Sequence, residues 1–350
     1  ANDVLRVDKR GIEALQYGSV KGLPDLREVI VNELLAPKGI DAGPENILIT
    51  SGGLEGINLL CQVFIDPGDV ILVESPTFVH CVEIFEMFQA KCISVAMDEH
   101  GMVPEDLEEK IRRFSPKVVY VIPTFHNPTG RTLSLERRMK IAELGSRYDV
   151  LILEDDPYRD IRYSGEDLKP IRAFDRTGHT VLANSFSKIF SPGSRLGYVL
   201  ASERVIEKLL DAKTATNSHT SMLPQVLCAE FFKRGYYPAH HRMICDLYRE
   251  RRDAMIESID RHFPVGTKRT FPDGGLFTWA ELPGDVNTTE LLAEATSDPE
   301  VKVAFVAGEG FFIEGGGMGK NCMRLSFGAV PPEKIRIGAE RLGRFLKKKV

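Results

Sequence analysis

Short apolar runs alternate with amphipathic segments through the first two hundred positions of the chain. Segments 24–34 and 134–148 place apolar residues at helical spacing, whereas the runs between them are short and rich in β-branched residues. Buried strands that alternate with helices are typical of an α/β fold with a mostly parallel central sheet covered by helices on both faces. Strands are predicted at 47–50, 70–73, 92–95, 117–122, 150–154, 181–183 and 196–200.

The pattern changes after about residue 203, where it becomes mostly helical. Residues 239–263 predict a long charged helix, on which 249–253 form a solvated face. Strands are predicted at 275–282, 301–305 and 322–327, followed by a closing helix. We expect a large domain over 15–240 and a smaller α/β C-terminal domain over 241–350, joined by the N-terminal segment 1–14.

Polar residues follow several of the predicted strands. Ser51, Gly52 and Gly53 come directly after one strand, Asn127 follows another and Asp155 follows a third. Because ligands of open α/β sheets bind beyond the carboxyl ends of the strands, these residues mark a candidate site. Glycines at a helix N-terminus expose backbone N–H groups to an anion, although an ordinary tight turn explains this segment equally well.

The segment 184–197 carries the strongest candidate chemistry. Lys188 follows Ser185 and Ser187, and Arg195 comes seven positions later in a turn rich in proline and glycine. A deprotonated lysine can form a Schiff base with an aldehyde, and hydroxyls with a guanidinium can hold a phosphate. On these residues alone, a solvated surface lysine remains the alternative interpretation.

Composition narrows the classes of partner. The chain has 350 residues, 43% hydrophobic and 27% charged, with a formal net charge of -5, which gives no electrostatic footprint for nucleic acid. Its six cysteines form no C-x-x-C pair, so we expect neither a zinc site nor a disulfide framework. No apolar run is long enough to cross a bilayer and no signal peptide is apparent, so a cytoplasmic protein without a membrane partner is expected.

Taken in order, seven motifs resemble those of the class I/II aminotransferases, which are fold-type I enzymes dependent on pyridoxal 5'-phosphate (PLP). The resemblance is greatest to the group containing 2-aminoadipate and kynurenine aminotransferases and the catalytic domains of related fused transcription regulators. No helix-turn-helix segment precedes the motifs, which favours the enzymes over the regulators. The motifs lie at 15–18, 50–53, 127–130, 155–158, 185–188, 192–197 and 323–327.

The resemblance implies a role for each residue around the cofactor ring. Lys188 would hold PLP as a Schiff base and then move the proton between substrate Cα and cofactor C4'. Asp155 would pair with the pyridine nitrogen, and Asn127 and Tyr158 would bind the phenolic oxygen. Phe78 would stack on the ring, with a core aromatic as the alternative.

The resemblance also implies how the phosphate and the substrate are bound. Arg324 would clamp the substrate carboxylate, with Asn127 beside it. Tyr17 would reach the phosphate of the neighbouring subunit, which implies a homodimer with shared active sites. The phosphate would otherwise be held by Ser51, Gly52, Gly53, Ser185, Ser187 and Arg195.

The sequence departs from the family pattern at two places, one in the phosphate site and one in the substrate pocket. Related proteins often carry serine and glutamine where Gly53 and Leu54 stand, so one side-chain contact to the phosphate is missing. The glycine-rich segment that lines the substrate pocket in relatives is not recognisable in residues 1–14. Substrate specificity is therefore the least constrained feature.

The expected function is a PLP-dependent aminotransferase that works by a ping-pong mechanism, with 2-oxoglutarate and glutamate as one substrate pair. An aromatic, aliphatic or aminoadipate-like amino acid would be the other donor. The same lysine, aspartate and arginine can also serve a PLP-dependent lyase or decarboxylase, because the pocket decides which bond breaks. A PLP-binding regulatory module without turnover is the alternative from a different class.

Overall fold

A computed structural model describes residues 2–6 and 8–350 of the chain. Short 3-10 and π-helical turns connect some of its regular elements. The α-helices are Asn2–Arg6 (α1), Asp8–Leu15 (α2), Pro24–Val29 (α3), Gly53–Phe64 (α4), Val79–Met87 (α5), Pro104–Phe114 (α6), Leu135–Tyr148 (α7), Glu203–Asn217 (α8), Met222–Lys233 (α9), Tyr237–His262 (α10), Thr288–Ser297 (α11) and Pro332–Leu346 (α12). The strands are Ile47–Thr50 (β1), Val70–Ser75 (β2), Lys91–Asp98 (β3), Gly101–Met102 (β4), Val118–Val121 (β5), Leu151–Asp155 (β6), Thr180–Ser185 (β7), Gly197–Leu200 (β8), Lys268–Arg269 (β9), Phe277–Glu281 (β10), Val306–Ala307 (β11) and Cys322–Ser326 (β12).

Eight strands form the large sheet in the order β1-β8-β7-β6-β5-β2-β3-β4. The five strands from β7 to β3 are mutually parallel, whereas β8 runs antiparallel to both of its neighbours. The prediction of a mostly parallel sheet is confirmed. Because β1, β2, β5, β6 and β7 share a direction, their carboxyl ends lie along one edge, where β8 begins.

Both faces of the large sheet are covered by helices, as the alternation of side chains along a strand requires. On β5, Val119 packs with the apolar residues of α6 and α7, whereas Val118 and Tyr120 pack on the opposite face with α4, α5 and α8. Helices α3 and α9 cover the part of the sheet nearest β1. This layering confirms the predicted architecture and leaves the strand ends as the open part of the sheet.

The C-terminal third of the chain builds a second, antiparallel sheet in the order β11-β12-β10-β9. Its core is formed with α10 and α12, and it also includes Phe125 and Tyr158 from loops of the large sheet. The loops that carry the candidate site are therefore packed against the smaller unit. The domain limits of 15–240 and 241–350 remain predictions; α2, which covers the second half of the segment 1–14, packs against α9.

Two local predictions were wrong. Residues 301–305 do not form a strand, because the amide of Lys302 closes a turn onto Asp298 and the backbone of Lys302 has a left-handed φ of 47°. The neighbouring strand is β11. On α10, Arg252 is buried rather than solvated; it donates to the carbonyl of Pro272 at 2.8 Å and stacks on the ring of Phe271 at 4.5 Å.

Within residues 2–6 and 8–350, none of the helices combines the length and the apolar character that crossing a membrane requires.

Candidate active site

Lys188 lies in the turn that links β7 to β8. The turn is fixed because the amide of Phe186 donates to the carbonyl of Leu196 at 3.0 Å, and Phe186 and Ile189 are buried in the core on either side of the lysine. Lys188 itself is half-buried, and its Nζ is 5.8 Å from the ring centroid of Tyr158. Burial, and then the charge of Arg195, lower the pKa of Lys188. The amine is therefore shifted toward its neutral, nucleophilic form.

Asp155 ends β6 and is almost fully buried. The hydroxyl of Tyr120, on the adjacent strand β5, donates to Asp155 Oδ2 at 2.8 Å. Burial raises the pKa of Asp155 to about 7, while the Tyr120 hydrogen bond acts in the opposite direction. With Oδ2 bonded to Tyr120, Oδ1 is left for a ligand, and a cationic group there would stabilise the ionised carboxylate.

Asn127, Tyr158 and Arg324 form a connected group between the two sheets. Arg324 Nη1 donates to Asn127 Oδ1 at 2.8 Å, and both residues lie close enough to Tyr158 to oppose the effect of burial on the pKa of its hydroxyl. Burial raises the pKa of Tyr158 and lowers that of Arg324. Because Asn127 Oδ1 accepts from the guanidinium, its amide group is set as a donor toward the remaining space.

Arg324 is held in β12 among aromatic rings. Its guanidinium carbon is 4.4 Å from the centroid of Phe277 and 5.2 Å from that of Phe311. Its Nε is buried without a hydrogen-bond partner among the described residues. A planar cation that is stacked but not fully hydrogen-bonded is suited to a carboxylate ligand.

Hydroxyls and a guanidinium meet beside Lys188. The Ser185 hydroxyl donates to Ser187 Oγ at 3.0 Å, and Arg195 reaches Ser187 Oγ through Nη1 and the Ser51 carbonyl through Nη2, both at 3.4 Å. Arg195 is exposed, and its contacts are long, so its charge remains available to an anion.

The turn between β1 and α4 completes this anion-binding region. Gly52 has a φ of 91°, and a Cβ on it would lie 2.4 Å from Arg195 Nη2. A Cβ on Gly197 would lie 2.6 Å from the Gly52 carbonyl carbon, so the turn rests directly on β8. The first amides of α4, from Gly53 onward, have no acceptor within the helix. These glycines allow the turn, the arginine and the helix N-terminus to approach one another.

Phe78 and Tyr17 make their ring contacts outside this group. Phe78 precedes α5, packs against the core that contains Tyr120 and meets the ring of His80 edge-on at 5.2 Å. Tyr17 is 87% exposed, and its ring meets that of His219 edge-on at 5.7 Å.

Three further residues near the site escaped prediction from the sequence. Tyr120 binds Asp155, and Glu55 and Lys213 form an ion pair beside the Ser51 turn. Tyr120 did carry a signal, because a hydroxyl inside an otherwise aliphatic strand must find a partner when it is buried. Lys213 resembled any other charged residue on an amphipathic helix, and its burial depends on tertiary packing.

The chain is similar in sequence and in fold to known aminotransferases. Residues 7–342 match the family described as aminotransferase class I and II. Aromatic-amino-acid aminotransferase 1 of Thermococcus litoralis is 38% identical over 98% of this chain and 82% of its own length. The 2-aminoadipate transaminase of Thermus thermophilus is 34% identical over 97% of this chain and 83% of its own length. The crystal structure of Pyrococcus horikoshii kynurenine aminotransferase, in complex with PMP, KYN and KYA, superposes with a TM-score of 0.93 at 37% identity, covering 100% of this chain and 87% of the other.

Proposed function

The chain belongs to the class I and II aminotransferases, fold-type I enzymes that depend on PLP, and on that premise we propose which residues carry the reaction and which substrates enter it. The proposed reaction transfers an α-amino group between an amino acid and a 2-oxo acid by a ping-pong mechanism. Glutamate and 2-oxoglutarate are the proposed common pair. The second amino acid is aromatic, aliphatic or aminoadipate-like.

The residues present fit PLP. Lys188 offers an amine for the aldehyde, Asp155 a carboxylate for the ring nitrogen, and the turn around Gly52 a cationic, amide-lined region for the phosphate. When bound, the cofactor supplies an aromatic ring that accepts electrons from the bonds at the substrate Cα. Phe78 is proposed to cover one face of that ring.

Lys188 and Asp155 are proposed to handle the protons. The lowered pKa of Lys188 favours a neutral Nζ that can take a proton from the substrate Cα and later return one. Asp155, once ionised, would keep a proton on the ring nitrogen through Oδ1. Tyr120 holds the opposite oxygen of that carboxylate and thereby sets its direction.

Asn127 and Tyr158 are proposed to bind the phenolic oxygen of the cofactor. The Asn127 amide can donate because its oxygen accepts from Arg324. Tyr158 is buried beside both Asn127 and Lys188, so its hydroxyl can donate to the same oxygen. Two donors would stabilise the anionic form of that oxygen.

Arg324 is proposed to bind the α-carboxylate that amino acids and 2-oxo acids share. It is the arginine that contacts Asn127, and the stacked rings of Phe277 and Phe311 fix its plane. A single carboxylate clamp of this kind serves the two substrates in turn, which supports the ping-pong order.

Tyr17 is proposed to complete the phosphate site of a second copy of the chain. Its ring is exposed, and nearby Leu15 and Ile12 on α2 are 76% and 69% exposed. Contiguous exposed apolar residues are typical of a protein interface. A homodimer with shared active sites is therefore the proposed assembly, and a cytoplasmic location is proposed with it.

The observation that carries the proposal is the half-buried, pKa-lowered Lys188 beside the Tyr158–Asn127–Arg324 group. The test is a screen of amino donors with purified, PLP-loaded protein and 2-oxoglutarate as acceptor. We expect glutamate and the donor's 2-oxo acid in equal amounts. Release of ammonia without glutamate would indicate a lyase, release of carbon dioxide a decarboxylase, and PLP binding without product a regulatory module.

A further inference from the structure

Lys213 is a fully buried lysine for which the proposed reaction has no use. Its side chain on α8 has 0% exposure, and its Nζ donates to Glu55 Oε2 at 2.9 Å and to Asn217 Oδ1 at 3.1 Å. Removing an ammonium group from water is costly unless it is paired and hydrogen-bonded. Its burial therefore depends on Glu55, which lies in the first turn of α4.

Glu55 connects this lysine to the proposed phosphate turn. Glu55 Oε2, the oxygen that accepts from Lys213, also accepts the backbone amide of Ser51 at 2.5 Å. Glu55 Oε1 accepts from the side-chain amide of Asn217. The carboxylate thus has three donors around it, and one of them is the residue at which β1 enters the turn.

The turn is fixed at its other positions by contacts that leave the helix N-terminus open. The Thr50 hydroxyl donates to the Gly52 carbonyl at 2.9 Å, and Arg195 Nη2 reaches the Ser51 carbonyl. Glu55 accepts the hydrogen bond of the Ser51 amide. The backbone amides that can still donate to an anion are therefore those of the following residues, at the start of α4. Gly53 has no hydroxyl to offer an anion, so these backbone amides must supply the contacts at this position.

We propose that the buried Glu55–Lys213 pair is a positioning device for the phosphate-binding turn of this chain. Glu55 orients the turn through the Ser51 amide, and Lys213 holds the carboxylate in place and offsets its charge beside the N-terminus of α4. Without Lys213, the charge of the Glu55 carboxylate would be uncompensated beside the turn that a phosphate dianion has to approach. The inference rests on the proposed function, because it takes the phosphate to be that of PLP.

The test measures binding of two ligands to the apoprotein, followed by absorbance. PLP carries the phosphate, whereas pyridoxal has the same ring and aldehyde without it. In Lys213→Met we expect the dissociation constant for PLP to rise by about 10-fold or more. The reason is that the hydrogen bonds from the displaced turn to the charged phosphate are weakened. The affinity for pyridoxal should stay within about twofold of wild type, because its contacts with Lys188 are retained.

Two further variants separate positioning from a loss of folding. In Glu55→Gln/Lys213→Met both charges are gone but an acceptor for the Ser51 amide remains, so PLP affinity should recover toward wild type. Lys110→Met is the matched control: Lys110 and the Ala96 amide both donate to Asp106 Oδ2, at 2.7 Å each, on the distant helix α6. It should leave both affinities unchanged.

The outcomes are distinguishable. An unchanged PLP affinity in Lys213→Met, an equal loss for PLP and pyridoxal, or no recovery in the double variant would overturn the positioning role. Wild-type apoprotein that binds neither PLP nor pyridoxal would instead overturn the proposed function, and this role with it.

Discussion

Tyr120 and Asp155 show how one buried hydroxyl can set the state of a carboxylate. Burial raises the pKa of Asp155 to about 7, and the Tyr120 hydrogen bond favours its ionised form. Relative to an unfolded chain, with an aspartate pKa of about 3.9, the folded apoprotein holds this proton more tightly. The contribution of Asp155 to stability is therefore present below about pH 4 and is lost as the pH rises through about 7.

In Tyr120→Phe we expect the pKa of Asp155 to rise further, because the hydrogen bond to its charged form is gone. If Asp155 must be ionised for catalysis, the acidic limb of kcat/KM should move upward by about one pH unit. The measurement is kcat/KM against pH. Tyr148→Phe, which removes a hydroxyl bonded to Glu108 far from the site, is the control. If the acidic limb of kcat/KM does not move in Tyr120→Phe, Tyr120 does not set the ionisation of Asp155 during catalysis.

Gly52 and Gly53 are neighbours with different constraints. Gly52 has positive φ, and a Cβ on it would force the Arg195 guanidinium to move, whereas a Cβ on Gly53 would meet its nearest neighbour, the Asn184 carbonyl oxygen, at an ordinary 3.7 Å. We expect Gly53→Ser to fold normally and to bind PLP more tightly by about 3- to 10-fold through its added hydroxyl. Gly52→Ser should weaken binding. Equal effects of the two substitutions on the PLP dissociation constant would contradict this account of the turn.

Strand β12 carries Arg324, the proposed carboxylate clamp. Arg324→Ala should raise KM for the amino acid and for the 2-oxo acid together by about 100-fold, because both lose the same ion pair. Arg324→Lys should recover little of this, since a lysine cannot form two parallel hydrogen bonds or stack on Phe277 in the same way. Steady-state kinetics of both half-reactions provide the measurement, and unchanged values in Arg324→Ala would refute the clamp.

Seven of the eight strands of the large sheet were predictable, because each is an apolar run with a boundary within its own sequence; the two-residue strand β4 was not predicted. Strands β6 and β7 were predicted at 150–154 and 181–183, and in the structure they end one and two residues later, at Asp155 and Ser185. The prediction at 301–305 was wrong because buried Val301 and Phe305 fill the small core from a turn and not from a strand. A run of apolar residues indicates that their side chains are buried, but burial alone does not determine the backbone conformation.

The supporting contacts of the site could not be predicted in the same way. Tyr120 lies 35 positions from Asp155, and Lys213 lies 158 positions from Glu55. Nothing local in the sequence pairs them, because the pairing results from strand order and from the packing of α8 on α4. The resemblance named the residues that would touch the cofactor, whereas the structure was needed to find those that hold them in place.

In the proposed dimer, each site depends on two copies of the chain. Tyr17→Phe and Lys188→Ala should each lower activity, the second to background. When the two variants are unfolded and refolded together, mixed dimers contain one site with both defects and one with neither. At equal mixing about half of the dimers are mixed, and one of the two sites in each mixed dimer is intact. We therefore expect activity to recover to about a quarter of that of wild type. Sedimentation would show the dimer, and activity no higher than that of the separate variants would contradict shared sites.

The cofactor absorbance of purified protein, followed through one complete cycle, tests whether Lys188 carries a transamination. In wild type, an amino acid should convert the bound PLP to pyridoxamine phosphate, and a 2-oxo acid should restore the original spectrum. Lys188→Ala should remain folded by circular dichroism but complete neither change at the wild-type rate. A wild-type protein that cannot be loaded with PLP, or a Lys188→Ala variant that cycles as fast as wild type, would refute this role of Lys188.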